Sequence, residues 1–292
     1  MLALYSDMRI MLPVALTDSL NLLRSLTMRT ATVLSNQDLI RIAPSVFAEH
    51  AHESMSEKYA YIPTMSLVQG LREEGFLPVR VDQAGSRKKD HAGFGKHMLR
   101  FRREDQLESR EAREVVLINS HDGSSGFQLM AGVYRLVCSN GLIAYQQDCH
   151  IKLRHTGNAK AEVIEGAYKI INGFDAVTQS IETMKAITLS DTQKLAFGKA
   201  ALALKYDDPD NCGFSPAQII RPRRFADERS DLWTVFNAVQ ENVIKGGQSG
   251  IKTNELGRRV RTSSRKINGI DQSTALNRGL WVLAEEMGKL VA

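Results

Sequence analysis

Cysteine and long apolar runs are both scarce in this chain, and each scarcity removes a class of protein. Its three cysteines, Cys138, Cys149 and Cys212, form no Cys-x-x-Cys pair and leave an odd one. A disulfide framework is therefore not expected, and free thiols in a reducing cytoplasm are. The apolar stretch from Met8 to Leu26 is broken by Arg9, Pro13, Asp18, Asn21 and Arg24. That leaves neither a membrane-spanning length nor a signal-peptide layout, so no membrane partner is expected. A nucleophile elbow of the Gly-x-Ser-x-Gly type is missing. The glycine-rich Gly246-Gly247-Gln248-Ser249-Gly250, followed by Lys252-Thr253, lacks both the Gly-Lys-[Ser/Thr] ending of a phosphate loop and a preceding apolar strand. It reads as a mobile connector. Internal repeats and low-complexity tracts do not stand out either.

With 292 residues, 43% of them hydrophobic, the chain can bury a substantial core. Ser35-Asn36-Gln37-Asp38 offers a helix start before Leu39 and Ile40, and Pro44 stops that helix. Thr64 can cap a second helix from Met65 to Glu74, closed by Gly75. Val79 and Val81 alternate with Arg80 and Asp82, and Leu99 and Phe101 alternate with Met98, Arg100 and Arg102, which predicts two strands with basic outer faces. A charged segment, Asp105 to Glu114, reads as an exposed loop or helical turn before the strand Val115 to Ile118. The stretch His121-Asp122-Gly123-Ser124-Ser125-Gly126 through Asn140-Gly141-Leu142-Ile143 packs two polar turns around an apolar run. Asp122-Gly123 and Asn140-Gly141 are expected to supply positive backbone dihedrals there, and this stretch is expected at the sheet centre.

From Asn158 the period becomes helical. Ile164, Ala167, Ile171, Phe174, Val177, Ile181 and Met184 make one apolar stripe, with Gly166 and Gly173 as bending points. Ser190 and Asp191 cap a further helix to about Tyr206. Turn composition from 207 to 213 marks the best domain-scale break, and helices with Leu232, Val235, Phe236, Val239 and Val243, then Leu276 to Leu290, follow. The predicted fold class is α+β: an antiparallel β-meander packed on a long helix, with a helical C-terminal region. Residues 1–27 read as a leader, non-native or loosely packed, 28–206 as the α+β core and 207–292 as the C-terminal region. A sheet covered on one face by the 159–187 helix would leave its other face, with Arg80, Arg100 and Arg102, for work.

Several motifs in one order carry a family resemblance: Ala43-Pro44-Ser45, Tyr61-Ile62-Pro63-Thr64, Lys96 through Arg102, Ser120-His121-Asp122-Gly123, Arg135 through Gly141, and Gln240-Glu241-Asn242. From about residue 28 to the C-terminus the chain resembles the DUF932 family of phage- and plasmid-borne proteins. That resemblance implies a mobile-element context and transfers no activity to particular residues. The order of helix, meander and long helix is also similar in layout to the core of Rad52-like annealing proteins, with no shared motif.

Lys and Arg number 38 against 33 Asp and Glu, a net charge of +5, so the placement of the cations matters more than their total. Arg87, Lys88, Lys89, Lys96, Arg100, Arg102 and Arg103 stand against Asp90 alone, with Phe94 and Phe101 interleaved. Arg258, Arg259, Arg261, Arg265 and Lys266 form an acid-free run among glycines, read as a flexible basic loop. Such stripes neutralise phosphates, and a neighbouring aromatic such as Phe94 can stack on an unpaired base. The bland alternative is a solvated face balancing the acidic 104–114 segment.

The expected nucleic-acid-binding set is Arg80, Arg87, Lys88, Lys89, Phe94, Lys96, Arg100, Arg102, Arg258, Arg259, Arg261, Arg265 and Lys266. Catalytic groups are weighed and set aside: Ser120, His121, Asp122, Ser124 and Ser125 are adjacent but lack triad order. A metal set of His121, Cys138, Cys149 and His150 lacks ligand spacing, so no metal or cofactor is named. The expected function is a non-enzymatic nucleic-acid-binding protein of mobile elements, with single-stranded DNA binding or annealing foremost. The competing expectation is a phage- or plasmid-encoded antagonist that binds a host defence protein. DNA versus RNA and homo-oligomerisation stay open.

Overall fold

A computed structural model describes residues 31–56, 59, 61–86, 90–135, 140–144, 150–153 and 159–291. The proposed leader, 1–27, lies outside them, as do Arg87, Lys88, Lys89, Cys138 and Cys149. The first helix, α1 (Asn36–Ile42), starts where the sequence predicts: the Ser35 hydroxyl accepts from the Asp38 N–H, and Asp38 reaches back to the Ser35 N–H. Next come α2 (Thr64–Glu73), β1 (Phe76–Gln83), β2 (His97–Arg103), β3 (Glu111–Asn119), β4 (Phe127–Arg135), β5 (Asn140–Ile143) and β6 (His150–Leu153). The C-terminal half contains α3 (Ala159–Asn172), α4 (Phe174–Ala186), α5 (Asp191–Lys205), α6 (Pro216–Ile220), α7 (Leu232–Lys245), β7 (Ser249–Thr253), β8 (Arg259–Ser263) and α8 (Ile270–Val291).

The fold is the expected α+β. Strands β1 to β4 form an antiparallel meander, and β5 and β6 share the outer edge of β4, pairing with residues 132–135 and 127–130 respectively. One sheet face, with Leu99, Phe101, Val115, Leu117, Leu129 and Ala131, joins a large apolar cluster with Leu67 and Leu71 of α2 and Val163, Ala167, Phe174 and Val177. That cluster runs on past residue 207 to Trp233, Phe236, Leu280 and Trp281. Gly166 lets α3 approach β4, since a Cβ there would sit 2.9 Å from Leu129 Cδ1.

Four local expectations change. The long helix not only bends but breaks at Gly173, one of the two glycines named as bending points, into α3 and α4, and the buried stripe of α3 is Val163, Ala167 and Ile170, not Ile164 and Ile171. Strand β3 begins at Glu111, inside the segment expected as a loop. Gly123 has φ +74 as predicted, and Asp122 Oδ1 accepts from the Ser124 N–H. Asn140-Gly141, however, is no turn. The two residues pair with Arg135 and Tyr134 as the start of β5. Glycine is needed at 141 for another reason: a Cβ would lie 2.5 Å from Arg100 Cζ.

The second sheet face is not free. Met98, Val116, Ile118, Met130 and Ile143 form an apolar cluster there, completed by Ile270 at the start of α8. The C-terminal region thus covers the surface on which Arg100 and Arg102 were expected to meet solvent.

Candidate functional site

The consequences for the predicted cations follow from that cover. Arg100 Nη1 donates to Glu114 Oε2 at 2.7 Å and Arg102 Nε to Glu114 Oε1 at 2.8 Å, with all three side chains no more than 5% exposed. Arg100 also donates to the carbonyls of Gly141 (3.0 Å) and Leu142 (3.3 Å), and the Arg102 guanidinium lies 3.9 Å over the Tyr134 ring. Lys96 is buried and donates to both carboxylate oxygens of Asp271, at 2.7 and 2.6 Å. Arg80 is half exposed and engaged with Asp82 at 2.8 Å. Phe94 is half-buried, its ring 5.3 Å from both His50 and His52. Alternation along β2 assigned its faces correctly, but a strand's second face stays open only when nothing packs on it. Here Arg100 and Arg102 are structural cations.

The second basic run behaves differently. Expected as a flexible loop, it is ordered: β7 and β8 form an antiparallel ribbon in register from Ser249↔Ser263 to Thr253↔Arg259. A two-stranded ribbon alone is marginal, and this one is clamped. Asn211 pairs its side-chain amide with the Thr253 backbone, donating to the carbonyl at 2.9 Å and accepting from the N–H at 2.8 Å, and Gln218 donates to the Ser249 carbonyl. Gly250 admits the Gly213 carbonyl so closely that a Cβ would stand 1.8 Å from it.

Lys252, Arg258, Arg259, Arg261, Arg265 and Lys266 are all exposed, and none makes an ion pair among the described residues. Register puts Arg259 and Arg261 on one ribbon face with Ile251, and Lys252 on the other with Thr262. Between the ribbon and the 205–214 segment runs a groove of about 980 Å³, lined among others by Lys252, Arg265, Lys266 and Tyr206, with Asp207, Asp208 and Glu255 also present. Burial pushes the Tyr206 hydroxyl up to about 12, so it stays a neutral donor. Lys266 also lines a second groove of about 180 Å³ shared with Arg80, Lys245 and, at its buried floor, Arg100. Arg102 is not part of it.

A second polar assembly was not foreseen as a unit. Thr64, expected to cap α2, lets Pro63 take that place and turns its hydroxyl inward. Its Oγ1 lies 2.9 Å from His97 Nε2 and 3.1 Å from His121 Nε2, and accepts from Asn119 Nδ2 at 3.0 Å. His97 Nδ1 lies 3.1 Å from the Gly95 carbonyl and 2.9 Å from Ser45 Oγ, which itself donates to Gln83. A carbonyl can only accept, so the network assigns the His97 proton to Nδ1 and leaves Nε2 to accept from Thr64. Burial, followed by the charge of nearby His121, pushes His97 down to about 3, which agrees with a neutral ring.

The Ser120 hydroxyl bridges the Ser125 backbone, accepting from its N–H at 2.9 Å and donating to its carbonyl at 3.1 Å. Of the residues weighed as nucleophile and base, Ser120 is thereby occupied in holding a turn, and His121 Nε2 faces the Thr64 hydroxyl. Beside them, His52, Asp90 and His91 each place a donor atom within 4.8 Å of the others. Of the metal set weighed from sequence, Cys138 and Cys149 lie outside the described residues; His121 meets Thr64, and His150 on β6 faces Gln128 at 3.0 Å. Sequence reasoning passed over His50, His52 and His91. The available signal was their density, since His50, His52, His91, His97 and His121 are five of the chain's seven histidines.

The family model described as "Domain of unknown function (DUF932)" matches residues 51–281. Two relatives from Escherichia coli (strain K12), UPF0380 protein YafZ and UPF0380 protein YfjQ, are each 42% identical over 254 residues, covering 87% of this chain and 91% of theirs. No solved structure matches. A family match over most of the chain and relatives of nearly full length agree with the ordered motifs around Thr64, His97 and His121, and the chain belongs to the DUF932 family.

Proposed function

We propose that this protein binds nucleic acid, with single-stranded DNA foremost, through the β7–β8 ribbon and the groove beneath it. The supporting observation is the contrast between two basic runs: Arg100 and Arg102 of β2 are consumed by Glu114 and Arg103 lies 3.9 Å from Asp105, whereas Lys252, Arg258, Arg259, Arg261, Arg265 and Lys266 are exposed and unpaired among the described residues. Four of these cations sit on the ribbon or its connecting loop and Arg265 and Lys266 follow β8; cations so grouped are suited to phosphates, and their release of counterions makes binding salt-dependent. Tyr206 offers the groove an aromatic ring on which an unpaired base can stack.

The test is the variant Arg258→Gln/Arg259→Gln/Arg261→Gln, measured by fluorescence anisotropy on single-stranded and duplex oligonucleotides across a salt series. Affinity should fall uniformly over sequences, with the salt slope smaller by roughly three units, about one per lost contact. Absence of binding to either form at low salt would exclude the proposal. A protein-binding antagonist of host defence would then be the better reading, favoured by Leu256 and Ile251, 76% and 50% exposed on the same ribbon.

A further inference from the structure

We propose that His52, Asp90 and His91 form a site for a divalent transition-metal ion of the zinc class, with Asp122 as the carboxylate that orients His91. Two imidazoles and a carboxylate are a donor set that suits such ions. Their donor atoms already lie within 4.8 Å of one another, with His52 Nε2 4.0 Å from Asp90 Oδ2. Metal–ligand bonds of about 2.0–2.2 Å in a tetrahedral site bring donors to roughly 3.3 Å apart. Closing that gap takes a movement of about an ångström. Asp90 can supply its share, because its side chain is 69% exposed and sits on a turn, and the stacked imidazoles must splay for one ion to lie in both ring planes.

The surroundings match what a metal-binding histidine requires. A ligating imidazole places its other ring nitrogen on a carboxylate or hydroxyl, which fixes tautomer and orientation. His91 Nδ1 lies 3.6 Å from Asp122 Oδ2; His52 Nδ1 accepts from the Ser54 N–H at 3.1 Å and lies 2.8 Å from Ser54 Oγ, so an ion on Nε2 would move the ring proton to Nδ1, where the hydroxyl can accept it. The two rings are stacked, with centroids 3.9 Å apart, and the Phe94 edge closes one side. Backbone bonds hold the three contributing segments together: the His52 N–H donates to the His121 carbonyl at 2.9 Å, and the His121 N–H to the Phe94 carbonyl at 2.8 Å. Three protein ligands leave a fourth position for water or an anionic oxygen, so the ion would fasten residue 52 to the 90–94 turn and present an open coordination site.

The experiment uses the full, tag-free chain, stripped with a chelator and titrated with zinc chloride by calorimetry and with cobalt chloride by visible absorption. One ion per chain is expected, with a ligand-field band for cobalt and a higher melting temperature on zinc addition. Asp90→Asn, at an exposed position where folding is not in question, and His91→Ala should both lose the ion. Asp122→Asn should bind about 10–100-fold more weakly, as expected for an orienting carboxylate. The proposal is overturned if the unaltered chain takes up neither ion, or if Asp90→Asn and His91→Ala bind zinc as the parent does.

Discussion

Replacing Glu114 by Gln isolates the energetics of the covered sheet face. The carboxylate is 1% exposed and is shared by two guanidiniums that are 4% and 5% exposed. Gln keeps the shape and can still accept from Arg102 Nε, but its amide turns a donor toward Arg100 Nη1 and removes the negative charge. Two buried cations then face no anion. Arg100 has little else to lean on, since its Nε already lacks a partner among the described residues and its remaining bonds go to neutral carbonyls.

Breaking a buried pair from one side costs about 3–5 kcal/mol, a large part of a typical total of about 5–15 kcal/mol. At about 2–4 °C per kcal/mol for a large domain, the melting temperature should drop by roughly 10 °C. Urea denaturation supplies the free energy, and Glu182→Gln, which loses an exposed bond to Lys185, is the control at under about 1 kcal/mol. Added salt should leave the Glu114→Gln deficit nearly unchanged, because buried charges are little screened. A cost equal to that of the control would refute the buried triad. The same geometry makes Arg100→Gln/Arg102→Gln a folding lesion, unsuitable as a probe of ligand binding.

Gly141→Ala should destabilise because its Cβ meets the Arg100 guanidinium; in an Arg100→Ala background that penalty should shrink, with a coupling of about 0.5–3 kcal/mol in denaturation cycles. His97 is held neutral to about pH 3 against an ordinary 6.5, so between pH 6.5 and 5 the unfolded chain takes up a proton that the fold refuses. Stability should therefore fall as pH falls, with a His97 contribution approaching about 1.4 kcal/mol per pH unit, and His97→Gln should lack that part of the slope in urea titrations at successive pH values. Asn211→Ala should speed amide hydrogen exchange in β7, where Thr253 loses its side-chain partner, while leaving exchange in β2 and β3 unaltered.

Local chemistry was legible in the sequence. Ser35, Ser190, Gly75 and Gly123 act as caps and turns because their preferences depend on neighbours within a few residues, and the α+β class followed from the change of period after Asn158. Contacts between distant segments were not. Thr64 carries a capping residue's side chain, but His97, Asn119 and His121 arrive from elsewhere and claim its hydroxyl. Asn140-Gly141 has turn composition, yet the glycine answers to Arg100, 41 residues earlier. The candidate metal site is illegible for the same reason, since His52 and Asp90 share no short spacing from which ligation could be read.

The two basic runs show what a closer reading could have separated. In β2 the cations alternate with Leu99 and Phe101, which anchor the strand between β1 and β3 in the middle of the sheet. A central strand has no exposed edge, and its second face is open only if no other part of the chain packs on it. Here 189 residues follow Arg103, and they bring Ile270 and the 240–245 turn of α7 over that face. In β8 the cations alternate with Val260 and Thr262, both half-buried, and the facing strand offers Gly250, Lys252, Thr253 and a single large apolar residue, Ile251, which is 50% exposed. So little apolar surface cannot offset the desolvation of two guanidiniums. The ribbon therefore stays at the surface with its charges in water, where a phosphate backbone could meet them. The identity of the residues between the cations, more than the number of cations, decides which basic run becomes a core network and which stays a solvated surface.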